Sequence, residues 1–241
     1  MSIGRWLQVA CLFATAIAKA DDFSDALAAY DAGKFADARR GFERVVAAGA
    51  SANAFYNLGN SCFRLDEHGA SALAYERALV LDPGFSEALA NLRFVREKAR
   101  ARVAEPDWRE RVMSRIHPRA VPWLALGAAW SGWMLAGAGV LRRRASAVIC
   151  GGVFAGLAAA LFAGLLWNDD RDARLAVVVN AGSEARIQPA DRAPVAEVLP
   201  AASRVRVISA QGGWTYCDLP GGGQGWVHAG HIAMVRMLPR K

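Results

Sequence analysis

The chain has 241 residues and a formal net charge of +7, from 29 Lys or Arg against 22 Asp or Glu. That length holds two small domains beside any membrane segment. The excess charge has no nucleic-acid footprint: residues 96–119 carry eight Arg or Lys against four acidic residues, beside an apolar stretch and without interleaved aromatics, which suits anionic lipid headgroups.

Residues 1–20 have the order of a secretory signal. Arg5 lies in a short basic region, an apolar run extends from Trp6 to Ile17, and Ala18-Lys19-Ala20 flanks a cleavage point. An uncleaved anchor is the alternative, and either one exports the residues from Asp21 onward. The cysteines (Cys11, Cys62, Cys150 and Cys217) fall in four different segments. None has metal-ligand or C-x-x-C spacing, so each reads as a small apolar residue and no structural disulfide is expected.

Residues 21–100 read as amphipathic helices, with apolar and small residues at i, i+3, i+4 and i+7. A repeat is visible at an offset of 33 residues: Phe35–Val45 aligns with His68–Ala78, placing Phe42 over Tyr75. Asn57, Asn60 and Arg64 sit at i, i+3 and i+7 of one helix and are candidates for a ligand-binding face; plain solvation of the surface is the other reading. Glu105-Pro106-Asp107 interrupts the helical pattern. Within the juxtamembrane segment 101–120, Trp108, Val112, Met113 and Ile116 then recur at helical spacing, opposite Arg109, Arg111 and Arg115. This is either a basic amphipathic helix at a membrane interface or an ordinary connector.

Two uncharged apolar stretches come next, 121–141 and 145–167, separated by Arg142-Arg143-Arg144. Roughly 20 apolar residues suffice to cross a hydrocarbon core. The expectation is a two-helix transmembrane hairpin with a three-residue cytoplasmic loop. Its seam would be formed by Gly152, Gly156, Ala160 and Gly164, with Gly151, Ala155, Ala159 and Ala163 beside them, against Ala128, Gly132 and Ala136. The short basic loop fits the positive-inside tendency, whereas Arg109, Arg111, Arg115 and Arg119 on the opposite flank oppose it.

From residue 168 onward the texture is short β runs and glycine turns. Leu175–Val179, Val195–Leu199, Val205 with Val207, Trp214–Leu219 and a last pair from Gly225 to Val235 are the predicted strands. Trp214 and Tyr216 share one strand face and are the exposed candidates for ligand binding, with Trp226 placed nearer the core. The run Gly221-Gly222-Gly223 lacks the Gly-Lys-Ser/Thr ending of a phosphate loop. His228 and His231 have no carboxylate or thiolate to join them as a metal site. Cys217 with either histidine is the one thinkable nucleophile–base pair. No catalytic residue, metal or cofactor is expected.

Three resemblances attach to these residues. Phe55-Tyr56-Asn57-Leu58-Gly59-Asn60 with Tyr75, Ala78 and Leu81-Asp82-Pro83 resembles the tetratricopeptide repeat, implying a solenoid with a peptide-binding concave face. Ala185–Pro189, Val205–Val207, Gly213–Leu219 and Gly225-Trp226-Val227 resemble bacterial SH3-like domains, which implies a barrel and, in some of that class, binding of cell-wall peptides. The expected fold is thus multidomain: an all-α tetratricopeptide solenoid (21–100), a two-helix transmembrane hairpin and an all-β SH3-like barrel (168–241). That order resembles the BatE-type proteins of the bacterial Bat aerotolerance operon. The resemblance implies a non-enzymatic scaffold, multi-pass in the inner membrane with both domains periplasmic. Its implied partners are membrane-bound von Willebrand A-domain proteins and an associated MoxR-type ATPase, beside membrane lipids. Peptidoglycan binding through Trp214 and Tyr216 is the alternative function.

Overall fold

The structure is a computed structural model that describes residues 21–104, 121–141 and 145–236. The expected signal (1–20, with Cys11), the juxtamembrane helix from 105 to 120 and the loop 142–144 lie outside the described residues. The chain divides into two compact units. Residues on both sides of the apolar region, up to 104 and from 174, form one; 105–173 form the other.

The first unit opens with helices. After α1 over 21–31 come α2 (Phe35–Ala48), α3 (Ala52–Arg64), α4 (His68–Leu81) and α5 (Ser86–Lys98). On α2 the buried residues are Ala38, Gly41, Phe42 and Val45, the single stripe of an amphipathic helix. Ser51 caps α3, its hydroxyl accepting from the Ala54 amide at 3.2 Å. Glycines set the closest approaches: a Cβ on Gly41 would meet Ala26 Cβ at 2.7 Å, and one on Gly59 the Tyr75 ring at 2.6 Å.

Helix α4 departs from this pattern. Gly69, Ser71, Ala72, Leu73, Ala74, Tyr75, Glu76 and Ala78 are all buried, so no face of it is left to solvent before its last two residues, Val80 and Leu81. A helix buried all round needs cover on every side. Helices α3 and α5 supply part, and strand β1 (Leu175–Val178) supplies the rest. The helical core, built on Phe42, Phe55, Tyr75 and Leu92, accordingly takes in Val177, Ala202 and Val235 from the other end of the chain. The expected free-standing all-α tetratricopeptide solenoid is therefore corrected. These helices are one half of a mixed α and β body.

The second half is antiparallel: β1, β2 (Ser183–Arg186), β3 (Val195–Leu199), β4 (Arg204–Gln211), β5 (Trp214–Leu219), β6 (Gly223–His228) and β7 (Ile232–Met234), with a 3-10 turn over Ala229–His231 before the last. They form one seven-stranded sheet of order β3-β2-β6-β5-β4-β1-β7. Among the described residues β3 and β7 stand at its two ends and do not pair with each other. A seven-stranded sheet docked on helices thus replaces the independent SH3-like barrel that was expected. Its inner face buries Ala176, Val178, Ala185, Leu199, Val205, Cys217, Leu219 and Val227.

The second unit contains α6 (Val121–Leu141) and α7 (Ala145–Ala173). Helix α6 is long and apolar enough over Pro122–Leu141 to cross a membrane. Helix α7 runs on past the expected end at residue 167 through Asn168-Asp169-Asp170-Arg171-Asp172. Among the described residues its apolar segment is Val148–Ala160, shorter than a span needs, so the expected two-helix transmembrane hairpin is corrected there to one candidate span beside a helix with a charged end. The two helices pack closely through the expected small residues. A Cβ on Gly151 would lie 2.6 Å from Gly132 O and 2.8 Å from Ala136 Cβ, while Gly152 and Gly156 have nothing within 4 Å of theirs. Of the two neighbouring rows on α7, the seam uses the one that starts at Gly151, against Gly132 and Ala136.

Candidate functional site

Alternation along β5 buries Thr215, Cys217 and Leu219 and leaves Trp214, Tyr216 and Asp218 on the outer face. On the neighbouring β6, Gly225 and Val227 take the inner positions. Antiparallel register then sets Trp214 opposite His228, Tyr216 opposite Trp226 and Asp218 opposite Gln224. The result is a ladder of three cross-strand pairs.

Each pair is in contact. Trp214 meets His228 edge-on at 5.6 Å between ring centroids, and Tyr216 lies against Trp226 at 4.9 Å with a 36° tilt. The Gln224 amide donates to Asp218 Oδ1 at 2.9 Å, and its carbonyl accepts from the Tyr216 hydroxyl at 2.9 Å. Arg206 of β4 approaches Asp218 at 3.9 Å. Gln224 therefore ties the ring pair to the carboxylate and holds all three side chains in fixed orientation. Trp226, expected near the core, belongs to the outer face with Tyr216, because Gly225 and Val227 on either side of it point inward.

His228 closes the ladder at one end. Its Nδ1 accepts the Gly230 amide at 3.2 Å and so caps the 3-10 turn, and its ring lies 5.3 Å from that of His231. An acceptor Nδ1 leaves the proton of a neutral imidazole on Nε2, which disfavours metal ligation there. Among the described residues no group of three or more His, Cys, Asp or Glu could hold a metal ion. Cys217 is on the inner face, its thiol pushed up to about 12 by burial and by Asp218, whereas His228 is exposed on the other side. The Cys217–histidine pair is not assembled.

The helical candidates part company. Asn60 Oδ1 accepts from the Tyr75 hydroxyl at 2.6 Å and from Asn91 Nδ2 at 3.1 Å, and the same Nδ2 reaches the Tyr56 hydroxyl at 3.3 Å. Tyr56 in turn packs on Phe85 at 4.9 Å. Asn60 thereby belongs to a polar cluster joining α3, α4 and α5. Burial raises the Tyr75 phenol well above its ordinary range. Asn57 is half-buried, and its carbonyl accepts from Ser61 Oγ at 2.9 Å. Arg64 is exposed, with its guanidinium 4.1 Å from the Phe35 ring centroid, on a different neighbour from Asn60. Asn60 and Arg64 thus engage different neighbours along α3.

Sequence reasoning missed His228, Asp218 and Gln224 as partners of Trp214 and Tyr216. Alternation in Gly225-Trp226-Val227 carried the signal for Trp226; the register that completes the ladder is a property of strand pairing. No protein-family model matches the chain, and no curated protein matches it.

Proposed function

We propose that this protein is a non-enzymatic, membrane-attached interaction component of a bacterial envelope complex of the Bat aerotolerance (BatE) type, and that it holds its partner on the outer face of β5 and β6. The observation that supports this reading is the ladder itself: four aromatic rings (Trp214, Tyr216, Trp226 and His228), a carboxylate and an amide on a two-stranded surface, the arrangement of a recognition patch. The partners are membrane-bound von Willebrand A-domain proteins with their MoxR-type ATPase. Attachment is to the inner membrane through the paired helices α6 and α7, which enter and leave it on one side, assisted by lipid headgroups at the basic stretch 96–119. The residues before and after the apolar region belong to one compact unit, which supports their lying together on the periplasmic side.

Photocrosslinking from position 208 tests the partner. Ile208 is exposed at the irregularity of β4 beside Tyr216. A probe there in intact membranes is expected to capture a von Willebrand A-domain polypeptide, and Trp226→Ala is expected to abolish the capture. Capture of no such polypeptide would sink the reading.

The tilted Tyr216–Trp226 pair with Asp218 and Gln224 alongside also favours a second reading, binding of peptidoglycan peptides on the same face. Retention of the detergent-solubilised chain on purified sacculi, lost with Trp214→Ala or Tyr216→Ala, would select it.

A further inference from the structure

The chain enters and leaves the apolar region at one strand. On the incoming side, Arg102 O accepts the Arg204 amide at 3.1 Å, and the Arg102 amide donates to Ser203 Oγ at 2.9 Å. The Arg102 guanidinium also pairs with Glu197 at 2.8 Å. On the outgoing side, Arg174 O accepts the Val207 amide at 2.8 Å, and β1 begins at the next residue. Arg204 and Val207 are three positions apart on β4, and amides at an odd separation on a strand point to opposite sides. The two ends of 105–173 thus flank β4, about 10 Å apart along it and about 10 Å across it.

Among the described residues, neither core draws on those between them. Both hydrophobic clusters draw their described members from 23–101 and 175–235 alone. The joint between the halves is likewise internal to the first unit: Arg204 of β4 pairs with buried Glu76 of α4, Arg77 donates to Met234 O, and Gly69 rests on the β1 end at Val179.

We infer that residues 105–173 are a membrane-attachment cassette inserted into an autonomous body, and that β4 is the clasp that registers both of its ends. The body closes across the insert and needs no bilayer or second unit to fold. Attachment and recognition are then separable, since the ladder on β5 and β6 belongs entirely to the body.

The test replaces 105–173 with flexible linkers of about eight and about twelve residues, each long enough to span about 14 Å. At least one shortened chain is expected to be soluble without detergent and to unfold in a single transition seen alike by far-ultraviolet circular dichroism and tryptophan fluorescence. Aggregation at both lengths, or separate transitions for helices and sheet, would overturn the inference. Hydrogen exchange on the intact chain is the second arm. The Arg204 and Val207 amides are expected to be protected within about tenfold of Tyr75 and Cys217; exchange at loop rates would overturn the clasp.

Discussion

Arg204 on β4 reaches the carboxylate of Glu76 on α4 at 2.6 Å, a pair 128 residues apart in the chain. Arg96 of α5 shares the same carboxylate oxygen. The Glu76 side chain is only 8% exposed, so a single buried carboxylate joins two helices and the sheet. Breaking a buried ion pair leaves uncompensated charge, here two guanidinium groups facing a neutral side chain.

Glu76→Gln is therefore expected to lower unfolding stability by about 3–5 kcal/mol, measured by denaturant titration. The pH dependence has a definite sign. Burial alone would push the Glu76 carboxyl up, but Arg204 and Arg96 outweigh it, and the group titrates below its ordinary value. Its stabilisation is thus complete above the ordinary carboxylate range and is lost as pH falls below it. Wild type should lose stability on acidification below that range more steeply than Glu76→Gln; parallel curves would contradict the assignment.

At the start of α4, a Cβ on Gly69 would lie 2.1 Å from the Val179 carbonyl oxygen. The obstacle is backbone and cannot swing aside, so Gly69→Ala should force α4 away from β1. Overpacking of this kind is expected to cost roughly 1–3 kcal/mol, read from the same titration. Gly152→Ala, whose Cβ would meet nothing within 4 Å, is the control with no steric cost.

The Tyr75 hydroxyl is held by Asn60 at 2.6 Å at the centre of the polar cluster. Tyr75→Phe should cost about 1–2 kcal/mol, because it removes a donor from Asn60 Oδ1 while keeping the ring against Gly59. Asn60→Ala, which leaves the buried hydroxyl without its acceptor, should cost at least as much. A smaller loss would mean that water serves the hydroxyl equally well.

Two thiols are predicted to be silent. Cys62 is pushed up to about 12 by burial and then by Glu67, and Cys217 to about 12 by burial and then by Asp218. Neither should react with a maleimide at neutral pH in the folded protein, since the thiolate is the nucleophile. Both should label on unfolding. Rapid modification of either in the native state, followed by mass spectrometry, would show that its half of the body opens.

Much of the local structure was legible. Leu81-Asp82-Pro83 marks the end of α4, the 33-residue offset pairs α2 with α4, and alternation over Trp214–Leu219 separates Trp214 and Tyr216 from Cys217. Period-based reading left two rows open where one residue's shift moves a whole face. The α6–α7 seam runs through Gly151 rather than Gly152, because both glycine rows have the same spacing and only the position of the partner helix selects between them. The length of α7 was misread for a related reason: helix formation continues through Asp169–Asp172, while apolarity does not.

By itself the sequence determined where most of the helices and strands lie, though not β2 or the end of α7, that Pro122–Leu141 is apolar enough to span a membrane, and which face of β5 carries Trp214 and Tyr216. Those are local properties, written in the spacing of neighbouring residues. Tertiary structure alone decided that helices and sheet share one core, that Asn60 joins a polar cluster with Tyr75 and Asn91, and that Trp226 and His228 complete the ladder. Each depends on contacts between distant segments. A helix buried on all sides, such as α4, announces that it must be covered, but its sequence does not say by which partner.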